Sequence, residues 1–225
     1  MDHARILDRE ADGLLLIAPL APASQARPRL LALYRDRLAA IPESGRDAFL
    51  TGRAMATRGM RVLGLRPKVV AERIGAAWPE GLAGAIGHGG GQVGVWLRRD
   101  GTESLGLDLR KIGGEAQAKM LSQHEWHLLS RQPGLARMRP EERVAGAISA
   151  KHALARALAL QLGVAASPAA LLVRPSARSG ICLGLADARQ HGLSAEDGFR
   201  VELRVMPGLV LTRVAVGQLA RLRLC

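Results

Sequence analysis

The sequence predicts an α+β fold, on three observations. Helical apolar periodicity is sustained over two long stretches, one opening at Ser44 and stopping at Gly64, the other covering 141–162 and closing at Gly163. Short segments of strand-like alternation lie on both sides of the second stretch. No heptads, low-complexity tracts or long linker interrupt the pattern.

Taken in chain order, an apolar run at 14–20 comes first and is followed by a Pro-punctuated stretch. Ser44, three residues before Asp47, reads as the start of a helix with Phe49, Met60 and Leu63 among its apolar positions and Arg53 inside it. Trp78-Pro79-Glu80-Gly81 and then Gly84-Ala85-Ile86-Gly87-His88-Gly89-Gly90-Gly91 form the most glycine-dense segment, which reads as a loop whose backbone approaches something closely. Val93, Val95 and Leu97 alternate as a strand, and Arg99-Asp100-Gly101 is a turn signal. Leu105, Leu107 and Leu109 alternate again, which puts Asp108 on the opposite side, away from the core or facing a cleft.

A further helix is expected over 115–129. The stronger helix at 141–162 carries Val144, Ile148, Leu154, Leu158 and Leu162. On it His152 and Arg156 are four apart and share a face, with Lys151 about a hundred degrees away, so all three can border one cleft. Strands are expected over 170–173, 181–185, 199–205 and 210–216.

Composition narrows the function classes. The 225 residues are 48% apolar but only 3% aromatic, which argues against a base-stacking nucleic-acid binder. Lys and Arg number 32 against 20 Asp and Glu, a net charge of +12 that attracts polyanions: nucleic acid, nucleotide phosphates or an acidic protein. The basic residues are scattered instead of gathered in a run, which ranks a nucleic-acid tail low. The run Leu14 to Ile17 is too brief to span a bilayer, and residues 1–10 lack a signal-like apolar core, so a soluble, cytoplasmic chain is expected. Cys182 and Cys225 have no metal-type spacing and read as free thiols.

Four segments, in order, resemble the 4′-phosphopantetheinyl transferase superfamily, in its enterobactin-synthetase branch. They are Gly52-Arg53 with Ala54, Ala56 and Arg58; Trp78-Pro79-Glu80-Gly81-Leu82-Ala83-Gly84-Ala85-Ile86-Gly87-His88; Gly106-Leu107-Asp108-Leu109-Arg110; and Ile148-Ser149-Ala150-Lys151-His152-Ala153-Leu154-Ala155-Arg156-Ala157-Leu158. Glu125 and Pro140-Glu141-Glu142-Arg143 also stand in family positions. The resemblance spans 45–165 and implies two similar α/β halves about a pseudo-twofold axis, here 1–103 and 104–225, with coenzyme A in the cleft between them.

By the same resemblance Arg53 matches the arginine near the adenosine end, His88 the histidine beside the 3′-phosphate, and Lys151 the lysine on the pyrophosphate. Arg156 replaces a second lysine, exchanging a point charge for a planar fork. The family holds Mg²⁺ with acidic residues at three positions, of which Asp108 alone is acidic here; the others are Arg110 and His152. The candidate base of the family is lost with them. Arg110 then reads either as a fixed cation in place of Mg²⁺ or as a surface arginine paired with Asp108. His152 reads as a proton-transferring imidazole, its pKa lowered by Arg156 and Lys151, or as a polar residue without a role. His124 and His127, with no third ligand in view, read as a solvated helix face, and Trp78 and Trp126 as packing.

The expected function is a phosphopantetheinyl-transferase-like protein of a secondary-metabolite or siderophore pathway. It binds coenzyme A, or the phosphopantetheine arm of an acyl or peptidyl carrier protein, and has diverged from ordinary Mg²⁺-dependent transfer. The alternatives are an active transferase that modifies a carrier-protein serine, and a non-enzyme that binds nucleic acid or a carrier protein.

Overall fold

Leu14, Leu16 and Ala18 project from one side of a strand, Gly13–Pro19, and the alternation of that strand decides where the first core forms. The computed structural model describes residues 4–25, 28–67, 71–73, 75–99, 101–113, 117, 119–162, 167–176, 180–188 and 198–217. The chain divides into two compact units, Met1–Gly101 and Thr102–Cys225. Each combines helices with an antiparallel sheet, an α+β construction.

In the first unit, strands β1 (Arg5–Arg9), β2 (Gly13–Pro19), β5 (Leu82–Gly89) and β6 (Gln92–Arg99) form a sheet of order β1-β2-β6-β5. Two short helices, α1 (Pro28–Leu33) and α2 (Arg35–Ala40), precede the long α3 (Glu43–Val62), and β3 (Ala71–Arg73) pairs with β4 (Gly75–Ala77). Helix α3 lays Met55, Ala56 and Met60 against Leu14, Leu16, Val93, Val95 and Leu97. Close approach depends on Gly52 and Gly59, where an added Cβ would fall 2.7 Å from Ile86 Cγ2 and 2.6 Å from Leu97 Cδ1.

Two sequence expectations fail in this unit. Ser44 is not the cap of α3: Pro42 holds that position, Ser44 lies inside the helix, and Asp47 Oδ1 instead accepts from the Ala23 N–H at 2.7 Å. The loop expected over the glycine-dense segment holds only at 78–81 and in the turn Gly90-Gly91; between them Leu82–Gly89 is a strand, β5, paired with β6 from Leu82 opposite Arg99 to Gly89 opposite Gln92. Glycine suits it because Trp78 lies flat on Gly84, where any Cβ would overlap the indole.

In the second unit, β7 (Ser104–Lys111), β8 (Leu171–Arg174), β9 (Ile181–Leu185), β10 (Phe199–Met206) and β11 (Leu209–Val216) form a sheet of order β7-β11-β10-β9-β8. Helix α5 (Pro140–Leu162) packs on β7 and β11. Pro140 and the acidic Glu141 and Glu142 open it, and Glu142 Oε2 accepts from the Arg139 N–H at 2.8 Å. Its fully buried Ala145, Ala147, Ala150, Ala153 and Ala157 let the sheet approach closely, while Ile148, Leu154 and Leu158 fill the core with Val173, Ile181, Leu183 and Val201.

Of the helix expected over 115–129, Gln117 is helical, but the continuous helix is α4 (Gln123–Arg131). A capping box of Ser122 and Glu125 sets the start, and described residues 119–121 form turn and bend; residues 114–116 and 118 lie outside the described set. Asp100, Gly163 and Cys225 also lie outside it, whereas Cys182 is a free, half-buried thiol. No helix among the described residues is long and apolar enough to cross a membrane.

Candidate functional site

Strand β7 and helix α5 build a polar cluster within the second unit. Alternation along β7 sends Leu105, Leu107 and Leu109 to one face and Gly106, Asp108 and Arg110 to the other. Asp108 does lie opposite the leucines, but it does not face away from the core. It sits beneath α5 and is 2% exposed, because Ser149 on α5 and Thr212 on β11 supply it with polar neighbours.

Ser149 Oγ donates to Asp108 Oδ2 at 2.9 Å and lies 2.8 Å from Thr212 Oγ1. A serine hydroxyl has one proton, so with that proton on Asp108 the Thr212 hydroxyl donates to Ser149. Arg156 Nη1 approaches Asp108 Oδ1 at 3.0 Å and donates to the Leu107 carbonyl at 2.6 Å. Arg110 Nη2 stands 3.7 Å from Asp108 Oδ2. Burial raises the Asp108 pKa above the ordinary carboxylate value, against the opposing pull of Arg156, Arg110, the Ser149 hydrogen bond and His152.

Ser149, His152 and Arg156 follow i, i+3, i+7 spacing and share one face of α5, which brings His152 into the field of the same cluster. Its pKa is lowered, first by burial and then by Arg110 and Arg156, with Asp108 working against them. The cations responsible are Arg110 and Arg156; Lys151, expected from the sequence to contribute, is not among them. A lowered histidine pKa means that, below about pH 6.5, the unfolded chain takes up a proton the folded chain refuses, so stability falls as pH drops through that value. NMR titration of the His152 imidazole is expected to give a pKa below the ordinary 6.5, moving upward in Arg110→Gln. An unchanged value in that variant would remove the guanidinium as a cause.

Lys151 points elsewhere. Its Nζ lies 2.6 Å from Glu125 Oε1, and both side chains are almost fully buried. Glu125 also accepts from the Val173 N–H at 3.2 Å and from Ser122 N at 3.0 Å, which ties α5, α4 and β8 together. Burial alone would raise the Glu125 pKa, but hydrogen bonds from Lys151, Ser122 and Val173 outweigh it and hold the pKa below the ordinary value.

Arg53 and His88 belong to the first unit. Arg53 is 4% exposed, with its guanidinium 4.5 Å above the Phe49 ring, and that ring meets Tyr34 edge-on. His88 is exposed on β5 opposite Val93. His124 and His127 are exposed on α4, while Trp126 packs on the core of the second unit and Trp78 on that of the first.

Thus Asp108, Arg110, His152 and Arg156 come together, while Lys151 joins Glu125 on another side of the helix. Ser149 and Thr212 are the members that sequence reading missed. Thr212 offered a signal, since it breaks the valine pattern of Val210, Val214 and Val216 on a single strand face, where a lone hydroxyl needs a partner opposite.

Mg²⁺ requires hard oxygen ligands at about 2.0–2.1 Å in octahedral array. The Asp108 oxygens are engaged by Ser149 and Arg156, with a second guanidinium beside them, and that donor set does not fit the ion. Among the described residues no group of three or more His, Cys, Asp and Glu could hold a metal. Comparison with known proteins adds no relative: no family model matches the chain, and no curated protein matches it.

Proposed function

We propose that the chain is a phosphopantetheinyl-transferase-like protein that binds coenzyme A, or the phosphopantetheine arm of a carrier protein, in a secondary-metabolite or siderophore pathway, and that it has left Mg²⁺-dependent transfer behind. The ordered motifs at Arg53, His88, Asp108 and Lys151 support the pocket. One observation carries the divergence: Asp108, the remaining acid of the metal motif, is bound by Ser149 and Arg156 and flanked by Arg110. In this reading the two units correspond to the two halves of that superfamily, and Arg53 and His88 serve the adenosine and 3′-phosphate ends.

Lys151 would have to exchange its Glu125 contact for a phosphate, at the cost of leaving a carboxylate buried. Arg156 is also paired with a buried carboxylate, Asp108, but 41% of its side chain stays exposed, so it can meet an anion without giving up that contact.

The test is the mass of an acyl or peptidyl carrier protein after incubation with this protein and coenzyme A, with Mg²⁺ or with EDTA. The expected result is no Mg²⁺-dependent gain of a phosphopantetheine group. A gain that requires Mg²⁺ and disappears in Asp108→Ala would restore the ordinary transferase.

A further inference from the structure

We infer that the Arg110 and Arg156 guanidinium groups form a metal-independent binding site for a phosphate or diphosphate group. The choice of coenzyme A as source of that group rests on the function proposed above, but the site itself rests on charge and geometry.

Two guanidinium groups converge on one carboxylate, Arg156 at 3.0 Å and Arg110 at 3.7 Å, so the trio keeps an excess positive charge. Both arginine side chains retain solvent access, 22% for Arg110 and 41% for Arg156, whereas Asp108 has almost none. Excess charge is therefore presented outward by the cations and is not masked by the anion. Arg110 adds an unused donor: among the described residues its buried Nε has no hydrogen-bond acceptor. A donor buried without an acceptor is costly, so Arg110 is short of a partner while the rest of its side chain keeps solvent access. The planar forks of two arginines suit phosphate oxygens, which accept in pairs.

His152 shares a face of α5 with Arg156, and its pKa is lowered first by burial and then by Arg110 and Arg156, against Asp108. Asp108 lies buried against both guanidinium groups and accepts from Ser149, which is in turn paired with Thr212.

Calorimetric titration of the whole chain with inorganic pyrophosphate in EDTA tests the site. Binding is expected, weakened about tenfold or more in Arg110→Gln and in Arg156→Gln by loss of a charge-assisted contact. Arg139→Gln, an exposed arginine engaged with Glu141 and Glu142, should bind like the parent.

Asp108→Asn guards against a misfolding explanation, because it is expected to bind pyrophosphate about tenfold more tightly once the competing charge is gone. A metal ligand would give the opposite sign. Pyrophosphate affinity unchanged in both arginine variants, weakened in Asp108→Asn, or dependent on added Mg²⁺ would overturn the site.

Parallel titrations with coenzyme A and ADP separate the sources. Pyrophosphate binding through the arginines with ADP matching coenzyme A would keep the site and remove the pantetheine reading. Coenzyme A binding insensitive to both arginines would keep that reading and remove the site.

Discussion

Lys151→Ala is expected to cost about 3–5 kcal/mol of folding stability, measured by urea unfolding near neutral pH, because it leaves the Glu125 carboxylate buried without its cation. Glu125 is 4% exposed and Lys151 6%, so water cannot take the place of the lost partner without opening the packing. Three elements depend on the pair, since Glu125 bonds the Val173 N–H of β8 and caps α4 through Ser122. Replacing both partners by apolar residues, as in Lys151→Met with Glu125→Leu, should recover part of the loss by removing the stranded charge. The lowered pKa of Glu125 fixes the pH dependence: its contribution is present above the ordinary glutamate pKa of 4.5 and is lost as pH falls through the lower folded value. A Lys151→Ala variant with parental stability would show that the pair holds nothing together.

Gly106→Val is expected to be comparably severe, at about 3 kcal/mol or more. A Cβ at this position would overlap the backbone carbonyl oxygen of Ala153 on α5, and backbone inside a packed helix has no rotamer to yield. The helix would have to lift from β7, parting the cluster around Asp108 that spans the two elements. Gly217→Ala is the matched control, since a Cβ there meets nothing within 4 Å, and it should change stability by no more than about 0.5 kcal/mol. Thermal unfolding of the two variants side by side reads the difference. Equal melting temperatures would contradict the close contact at Gly106.

The long helices were legible because their signals are local and repeated. The stop at Gly64 follows from its positive φ of 72°, and Pro140 with Glu141 and Glu142 marks the start of α5. The strands at 181–185, 199–205 and 210–216 were legible through period-two alternation, and the ends found lie within a residue of those expected.

What misled was glycine density and the spacing of a serine three residues before an acid. Glycine density at 84–91 signals close approach, but the approach is that of Trp78 onto a strand rather than of a ligand onto a loop. Ser44 and Ser122 both precede an acid by three residues, and only Ser122 caps; Asp47 instead holds the Ala23 N–H.

Within the site, helical spacing alone put His152 and Arg156 on one face. The burial of Asp108 was hidden, because it depends on hydroxyls that are distant in sequence, 41 residues away at Ser149 and on β11 at Thr212. The partition of cations was hidden too. Lys151 is adjacent to His152 in sequence, yet only the placement of α4 decides that it pairs with Glu125 and leaves Arg110 and Arg156 to face Asp108.

The proposed coenzyme A pocket needs no divalent ion, and calorimetric titration of coenzyme A in EDTA and again in Mg²⁺ tests this. The expected result is saturable binding with the same affinity in both. Binding that appears only with Mg²⁺, or none at millimolar coenzyme A, would contradict it.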